Sequence, residues 1–384
     1  MERPSTRAFG APFRYIQGPG VLSRLPELLR PDLTRTLVLI DQFLFEELEA
    51  KLGKAFRGTG KEAICEKFRG ETTEAEVARV ASLADERKCQ AICGLGGGKT
   101  LDTAKLAGAS LGLTVIVAPT SASTDAPTSS MGVLYTPDGL HLRCQTIDRP
   151  MELVLVDSLI IAKAPVRLFV AGIGDALSTW YEAEANEASG SLNYIGRGHG
   201  RCLGGLALAR QCHQVLSLRA LEATTDLVQG RLTGAVEDVI EANILLSGLG
   251  FENNGCAAAH SLHTGLHEID GCSRLFHGEL VAFGVVFQLT LENRPAEEIG
   301  DVLGLMAGVG LPVSLADLGL EVDDAGLGRI VARVVDGNSG IEAEPFTVTP
   351  EAVRSALLRA DRLGRDFRRQ RPNLPRPWCL RLDR

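Results

Sequence analysis

The sequence predicts an α/β domain of Rossmann-like form over residues 1–164, followed by an all-α domain over residues 165–384. Two observations lead there. Between residues 35 and 119, short β-rich runs alternate with helical stretches, the pattern of a parallel sheet covered on both faces. From about Pro165 the strand signals fade and helical periodicity takes over. The size agrees: 384 residues, 45% hydrophobic and 23% charged, suit about two ordinary globular domains.

The elements follow in order. RTLVLI (35–40) is a strand ending at Asp41, and residues 44–52 are helical. EAICEKF (62–68) is a second strand. Residues 73–88 form a helix that opens with Thr73 and Glu76 at capping-box spacing. QAICGLG (90–96) and TVIVAP (114–119) are strands on either side of a helix over 99–110. The segment 132–143, centred on Pro137-Asp138-Gly139, reads as a β-hairpin. In the second half, a helix begins near Asp175, a second amphipathic one covers 237–248, and 280–293 is apolar all round, as a buried central helix would be.

Four stretches carry chemistry. Gly94-Leu95-Gly96-Gly97-Gly98-Lys99-Thr100 joins a strand to a helix. Its amides and the positive end of that helix suit a diphosphate. GxGxxG fails at Lys99 and the P-loop fails at Cys93, and tight packing of the turn is the competing account. Asp125 sits among small hydroxyl residues at a strand end, where a turn or cap aspartate is equally at home. Asp175 follows two glycines and reads as a helix N-cap on position alone.

The fourth stretch is residues 256–280, which hold four of the seven histidines. His260, His263 and His267 share one face of a helix, and His277 follows in a nearby loop. Two imidazoles from the helix and one from the loop could converge on a metal ion. The HExxH signature of zinc proteases is absent, and satisfied polar core histidines remain the alternative.

The net charge of −8 argues against a nucleic-acid binder. The Arg-rich tail from Asp361 to Arg384 reads as a frayed, solvated end. Nine scattered cysteines point to reduced thiols and a cytoplasmic setting. The opening MERPSTRAFGAPFRY lacks a signal-peptide core, and no apolar run reaches membrane-spanning length.

Taken together, GLGGGKTLDTAK (94–105), APTSASTDAPTSS (118–130), AGIGDALSTWYEA (171–183), IEANILLSGLGFE (240–252), AAAHSLHTGL (257–266) and FHGELVAFG (276–284) resemble the glycerol dehydrogenases of the iron-containing, or group III, alcohol dehydrogenase family. The similarity runs from Tyr15 to about Phe367, and STDAP is the motif most particular to that branch. The resemblance implies a dinucleotide-binding first domain, a metal-binding helical second domain and an active site in the cleft between them. It implies metal ligation by Asp175, His260 and His277, with zinc usual in this branch, and places His263 near the reaction without ligating. Asp125 matches the residue that contacts glycerol hydroxyls, and Asp41 the acid at the adenosine ribose. Gly97, Gly98, Lys99, Thr100 and Asp102 match the diphosphate loop and its helix. Thr120, Ser123, Ser129, Met131 and Tyr135 match positions around the nicotinamide. Family members form ring-like octamers, so a homo-oligomer is implied. Departures are Asn253-Asn254-Gly255 after GFE, the extra His267, residues 184–201 and the chain after Arg371.

The implied reaction is oxidation of glycerol, or a related vicinal diol, by NAD with Lewis-acid help from the metal. Asp41 favours NAD, because a carboxylate there accepts from the ribose 2′-hydroxyl and repels a 2′-phosphate. The competing readings are a phosphate-handling relative, such as a glycerol-1-phosphate dehydrogenase or a dehydroquinate synthase-like lyase, and an idle metal- or nucleotide-binding protein. Asp125 argues against an anionic substrate, and the survival of the ligand set argues against idleness.

Overall fold

The computed structural model describes residues 6–195, 198–337 and 339–381. The chain forms two compact units. One comprises Gly10–Ala122 and Ala126–Ala164; the other comprises the residues up to Phe9, Ser123–Asp125 and the chain from Pro165 onward.

The first unit is built on a six-stranded parallel sheet. Its strands are β1 (Tyr15–Gly18), β2 (Arg35–Ile40), β3 (Glu62–Lys67), β4 (Ala91–Gly96), β5 (Thr114–Pro119) and, after a hairpin, β8 (Leu153–Asp157). The spatial order is β1-β8-β5-β4-β2-β3. Side chains alternate across a strand, so β2 feeds two cores. Val38 and Ile40 pack with Leu48 and Leu52 of α1 (Phe45–Phe56) on one face. Leu37 and Leu39 pack on the other face with Val80 and Ala84 of α2 (Glu74–Glu86) and with Ala104 and Ala107 of α3 (Gly98–Leu111). Burial on both faces explains why these strands read as continuous apolar runs. β6 (Met131–Tyr135) and β7 (His141–Thr146) form the antiparallel hairpin around Gly139.

The chain passes from β2 outward to β3, then returns to place β4 on the opposite side of β2. Strand order therefore reverses between β2 and β4, and ligands of open α/β sheets bind at such a switch point. β1 and β8 escape the sequence reading. β8 is a short, wholly buried run without alternation, which periodicity alone cannot separate from a helical turn.

The second unit is helical: α4 (Val166–Ser189), α5 (Leu203–Val228), α6 (Gly234–Glu241), a π-helical turn (Ala242–Leu246), α7 (Ser247–Asn254), α8 (Ala258–Leu266), α9 (His277–Leu291), α10 (Ala296–Val309), α11 (Asp324–Val334) and α12 (Pro350–Gln370). α9 is the buried central helix, with every residue from Gly278 to Leu291 inside. Three expectations are corrected here. Asp175 is no N-cap: α4 starts at Val166, because the run Val166–Val170 supplies helical turns that the two glycines do not break. His277 is not in a loop but opens α9, with Glu279 reaching back to the Phe276 amide at 2.9 Å. The Arg-rich end is not frayed through most of its length. α12 runs to Gln370, Asp361 is buried and accepts from the Leu315 amide, Arg368 pairs with Asp317 at 2.8 Å, and the Trp378 indole donates to the Val309 carbonyl. Its last residues, 382–384, lie outside the described residues, as do 196 and 197 of the divergent stretch 184–201.

α4 and α9 cross backbone to backbone. A Cβ on Gly278 would overlap the Ala171 carbonyl oxygen, and one on Gly174 would overlap the Gly278 carbonyl oxygen. Gly278→Ala is therefore expected to destabilise the fold by about 3 kcal/mol or more, since overpacking against backbone has nothing to yield. Gly328→Ala, inside α11 and facing open space, is expected to stabilise by about 0.4–1 kcal/mol. Urea unfolding of the two variants checks both signs.

Candidate active site

Gly174 and Gly278 are the neighbours in sequence of Asp175 and His277, so the close crossing brings those two side chains together. Asp175 is buried in α4, His260 projects from the first turns of α8, and His277 begins α9. Asp175 Oδ1 lies 3.1 Å from His277 Nε2 and 3.7 Å from His260 Nε2. The two imidazole nitrogens are 3.3 Å apart. Ligand atoms 2.0–2.1 Å from a tetrahedral zinc stand about 3.3 Å from one another, so the three donors fit such an ion. Asp175 Oδ1 is buried yet has no hydrogen-bond partner. An acceptor left bare in the interior costs about 1–3 kcal/mol, a penalty that a cation removes.

Asp125 belongs to the same unit. Its amide donates to Asp175 Oδ2 at 3.3 Å, and its own Oδ2 accepts from the Ser247 hydroxyl at 2.8 Å. Burial, then the charge of Asp175, push the Asp125 carboxyl up to about 8. Burial also works against a charged Asp175, but His277 and His260 outweigh it and hold that carboxyl below its usual range. Two carboxyls side by side in a buried site suit a positive charge between them.

Glu182 lies two turns beyond Asp175 on the same face of α4. Its Oε2 is 2.7 Å from His260 Nδ1, and its Oε1 accepts from the amides of Ala257 and His260 at 2.8 and 2.9 Å. A carboxylate on Nδ1 makes that nitrogen the donor and leaves the Nε2 lone pair for a metal. The next two amides of α8 are also taken by side chains, Ala258 by Glu344 and Ala259 by Gln288. The free donors at the start of the helix are thus satisfied and its position is fixed. A second possible grouping, Glu182 with Cys256 and His260, uses a carboxylate already committed to these bonds. His263 stands apart from the Asp175 cluster: its Nε2 meets Nδ1 of His277 at 3.0 Å.

In the α/β unit, Asp41, the 97–100 segment and Thr120 follow the C-terminal ends of β2, β4 and β5, at and beside the switch point. Asp41 follows β2, and its amide bonds to the Leu95 carbonyl of β4. Thr120, after β5, donates its amide to the Gly96 carbonyl. Gly94 and Gly96 are packing glycines, because a Cβ on either would collide with α3. Gly97 is different: a Cβ there meets nothing within 4 Å. The first intrahelical amide of α3 is that of Leu101, which bonds Gly97, so the amides of Gly98, Lys99 and Thr100 point off the helix start. Gly94 and Gly96 thus fit the tight-packing account of the loop, while Gly97 leaves its own face open. Lys99 pairs with Glu71 at 2.6 Å and lies 4.8 Å over the Tyr135 ring.

Asp102 faces inward, accepting from the Val133 amide and from the ammonium of the fully buried Lys105. Ser129 accepts from the Met131 amide, and the Met131 carbonyl accepts from Lys105. The bonds to Asp102 and from Lys105 hold the hairpin on α3. Ser123 clusters with the helical unit.

The model of the iron-containing alcohol dehydrogenase family matches residues 12–158. A glycerol dehydrogenase of Escherichia coli O6:H1 is 43% identical over 364 residues, which cover 94% of this chain and 98% of that protein. The chain belongs to the iron-containing alcohol dehydrogenase family, a family of oxidoreductases. Among solved structures it is similar to a probable glycerol dehydrogenase from Sinorhizobium meliloti, at 44% identity and TM-score 0.88, covering 94% of this chain and 99% of that one. The glycerol dehydrogenase of Schizosaccharomyces pombe superposes with TM-score 0.91 at 34% identity, covering 98% and 95% of the two chains.

Sequence reasoning missed Glu182, Ser247 and Lys105. The spacing of Glu182 from Asp175, a whole number of helical turns, was the available signal; for Ser247 and Lys105 there was none without the fold. Glu182→Gln keeps the shape but weakens the acceptor on His260, and is expected to lower metal affinity about 10- to 100-fold. Competition against a chelator measures that affinity.

Proposed function

We propose that this chain is an NAD- and metal-dependent glycerol dehydrogenase that oxidises glycerol to dihydroxyacetone reversibly and accepts related diols such as 1,2-propanediol. The observation that carries the reading is the convergence of Asp175 Oδ1, His260 Nε2 and His277 Nε2, with the aspartate oxygen bare of hydrogen bonds. A divalent ion held by these residues supplies Lewis acidity toward a substrate hydroxyl, and NAD supplies the hydride acceptor. Zinc is proposed in preference to iron; the ligand set suits both, and zinc is usual in the branch that shares the STDAP motif.

The chain's own residues divide the remaining work. Asp125, steadied by Ser247, accepts hydrogen bonds from the substrate's other hydroxyls. His263, whose Nε2 meets His277 Nδ1, takes part in proton removal through water and the cofactor ribose to solvent. Glu182 keeps His260 in the ligating tautomer. Asp41 receives the ribose hydroxyls, and the amides of Gly98, Lys99 and Thr100 receive the diphosphate across the open face at Gly97. Thr120, Ser123, Ser129, Met131 and Tyr135 surround the nicotinamide half, and Asp102 acts through the hairpin it anchors. We assign residues 1–164 to the NAD-binding domain and 165–384 to the metal-binding domain, in a cytoplasmic homo-oligomer, octameric by family resemblance. Among the described residues no helix is long and apolar enough to cross a membrane.

The test is NADH formation by zinc-loaded protein with glycerol, 1,2-propanediol, 1-propanol and glycerol phosphate. The reading predicts strong activity on the diols, little on 1-propanol and none on glycerol phosphate; activity confined to the phosphate would reverse it. Asp125→Ala is expected to cost about 1.5–3 kcal/mol in kcat/KM on the diols and much less on 1-propanol. An equal proportional loss on both would make Asp125 a structural residue. Asp41→Ala is expected to narrow the preference for NAD over NADP, read from kcat/KM for each cofactor.

A further inference from the structure

The two ring nitrogens of His277 face different neighbours. Nε2 belongs with Asp175 and His260, whereas Nδ1 lies 3.0 Å from His263 Nε2. His263 Nε2 in turn lies 3.2 Å from His267 Nε2, with the two rings nearly perpendicular and their centroids 4.7 Å apart. His263 and His267 sit four residues apart at the C-terminal end of α8, in the run His-Thr-Gly-Leu-His. That is the histidine spacing of helical zinc motifs, without their glutamate. His267 is exposed, so an ion from solvent can reach it.

The nitrogen geometry favours an ion over a proton. A neutral imidazole nitrogen carries either one proton or one lone pair. As a donor, His263 Nε2 has a single proton for two neighbouring nitrogens; as an acceptor, it has a single lone pair for two donors. Either way one of the two contacts is not a full hydrogen bond. A divalent ion takes lone pairs from His263 and His267 together. Their separation of 3.2 Å is close to the edge of about 3.3 Å between two nitrogens on a tetrahedral zinc. Imidazole donors suit zinc, copper and nickel.

We propose that His263 and His267 form a second transition-metal site, separate from the Asp175–His260–His277 cluster, and that zinc or copper bound there inhibits the enzyme. The ion holds the His263 nitrogen that otherwise meets His277, so the ring is withdrawn from the role given to it above. The binding site stands on the geometry alone; the inhibition rests on the role given to His263 above.

Binding is read independently of activity. Protein carrying one zinc per chain is dialysed against a series of Zn²⁺ concentrations, and its bound copper is followed by electron paramagnetic resonance as Cu²⁺ is added. A second ion per chain is expected, bound more weakly than the first, with NADH formation from glycerol falling as it fills. His267→Asn, or His267→Gln at the same exposed position, is expected to keep the first ion and the turnover without added metal. Losing one of two ligands should raise the Zn²⁺ concentration for half-saturation and half-inhibition by about tenfold or more. A single bound ion in the parent protein, or a second ion unaffected by both variants, overturns the site. A second ion that depends on His267 but leaves NADH formation unchanged overturns the inhibition and retains the site.

Discussion

The crossing of α4 and α9 is the contact on which the Asp175–His260–His277 cluster depends. Packed helices ordinarily keep their axes 8–10 Å apart because side chains fill the space between. At Gly174 and Gly278 there is no side chain to fill it, and the carbonyl of one helix occupies the place of a methyl on the other. The residues next along each helix, Asp175 and His277, inherit that closeness. A side chain at either glycine would push the helices apart, and atoms now 3.1 Å from each other would separate. α9 is apolar on every side because it is buried on every side, and α8 reaches the same point with its first amides tied to Glu182, Glu344 and Gln288.

Buried charged groups are answered by their surroundings to different degrees. Glu182 and Glu344 lie inside the helical unit against the amides at the start of α8, where the helix end carries partial positive charge. Lys105, fully buried in the α/β unit, has three acceptors: Asp102 and the carbonyls of Ala126 and Met131. For Glu182 and Lys105 the protein itself answers the cost of burying a charged group, whereas Glu344 keeps Oε2 without a hydrogen bond. Asp175 Oδ1 shares that state and differs in standing beside the Nε2 atoms of two imidazoles.

Much of this was legible in the chain. The alternation of strands and helices between residues 35 and 119 appears as read, because parallel strands buried on both faces and amphipathic helices have distinct periods. The hairpin around Gly139 and the apolar central helix were equally plain, the first from turn residues and the second from uniform hydropathy. The spacing of His260, His263 and His267 placed them on one helix, but it did not say which nitrogen faces which neighbour. That depends on Glu182 and on the helix crossing, both long-range. Asp175 looked like a cap because glycine precedes it; here glycine marks a contact between helices and not a helix start. The arginine tail misled for a related reason. Composition alone reads charge as solvated, whereas Arg368 and Trp378 find partners far away in sequence.

The same helix crossing has a consequence for how the chain folds. Asp175 and His277 are far apart in sequence, and their carboxylate and imidazole meet only once α4 and α9 have docked. An ion held between them acts as a removable cross-link closing a long loop, comparable in topology to a disulfide. Unlike a disulfide, it exerts no constraint on the unfolded chain, where the ligands are dispersed. It binds the docked state alone, and its contribution grows with the ratio of free ion to dissociation constant, about 2.7 kcal/mol at a hundredfold excess. With the proposed ion bound there, the resistance of this half of the molecule to unfolding would be coupled to the supply of metal around it.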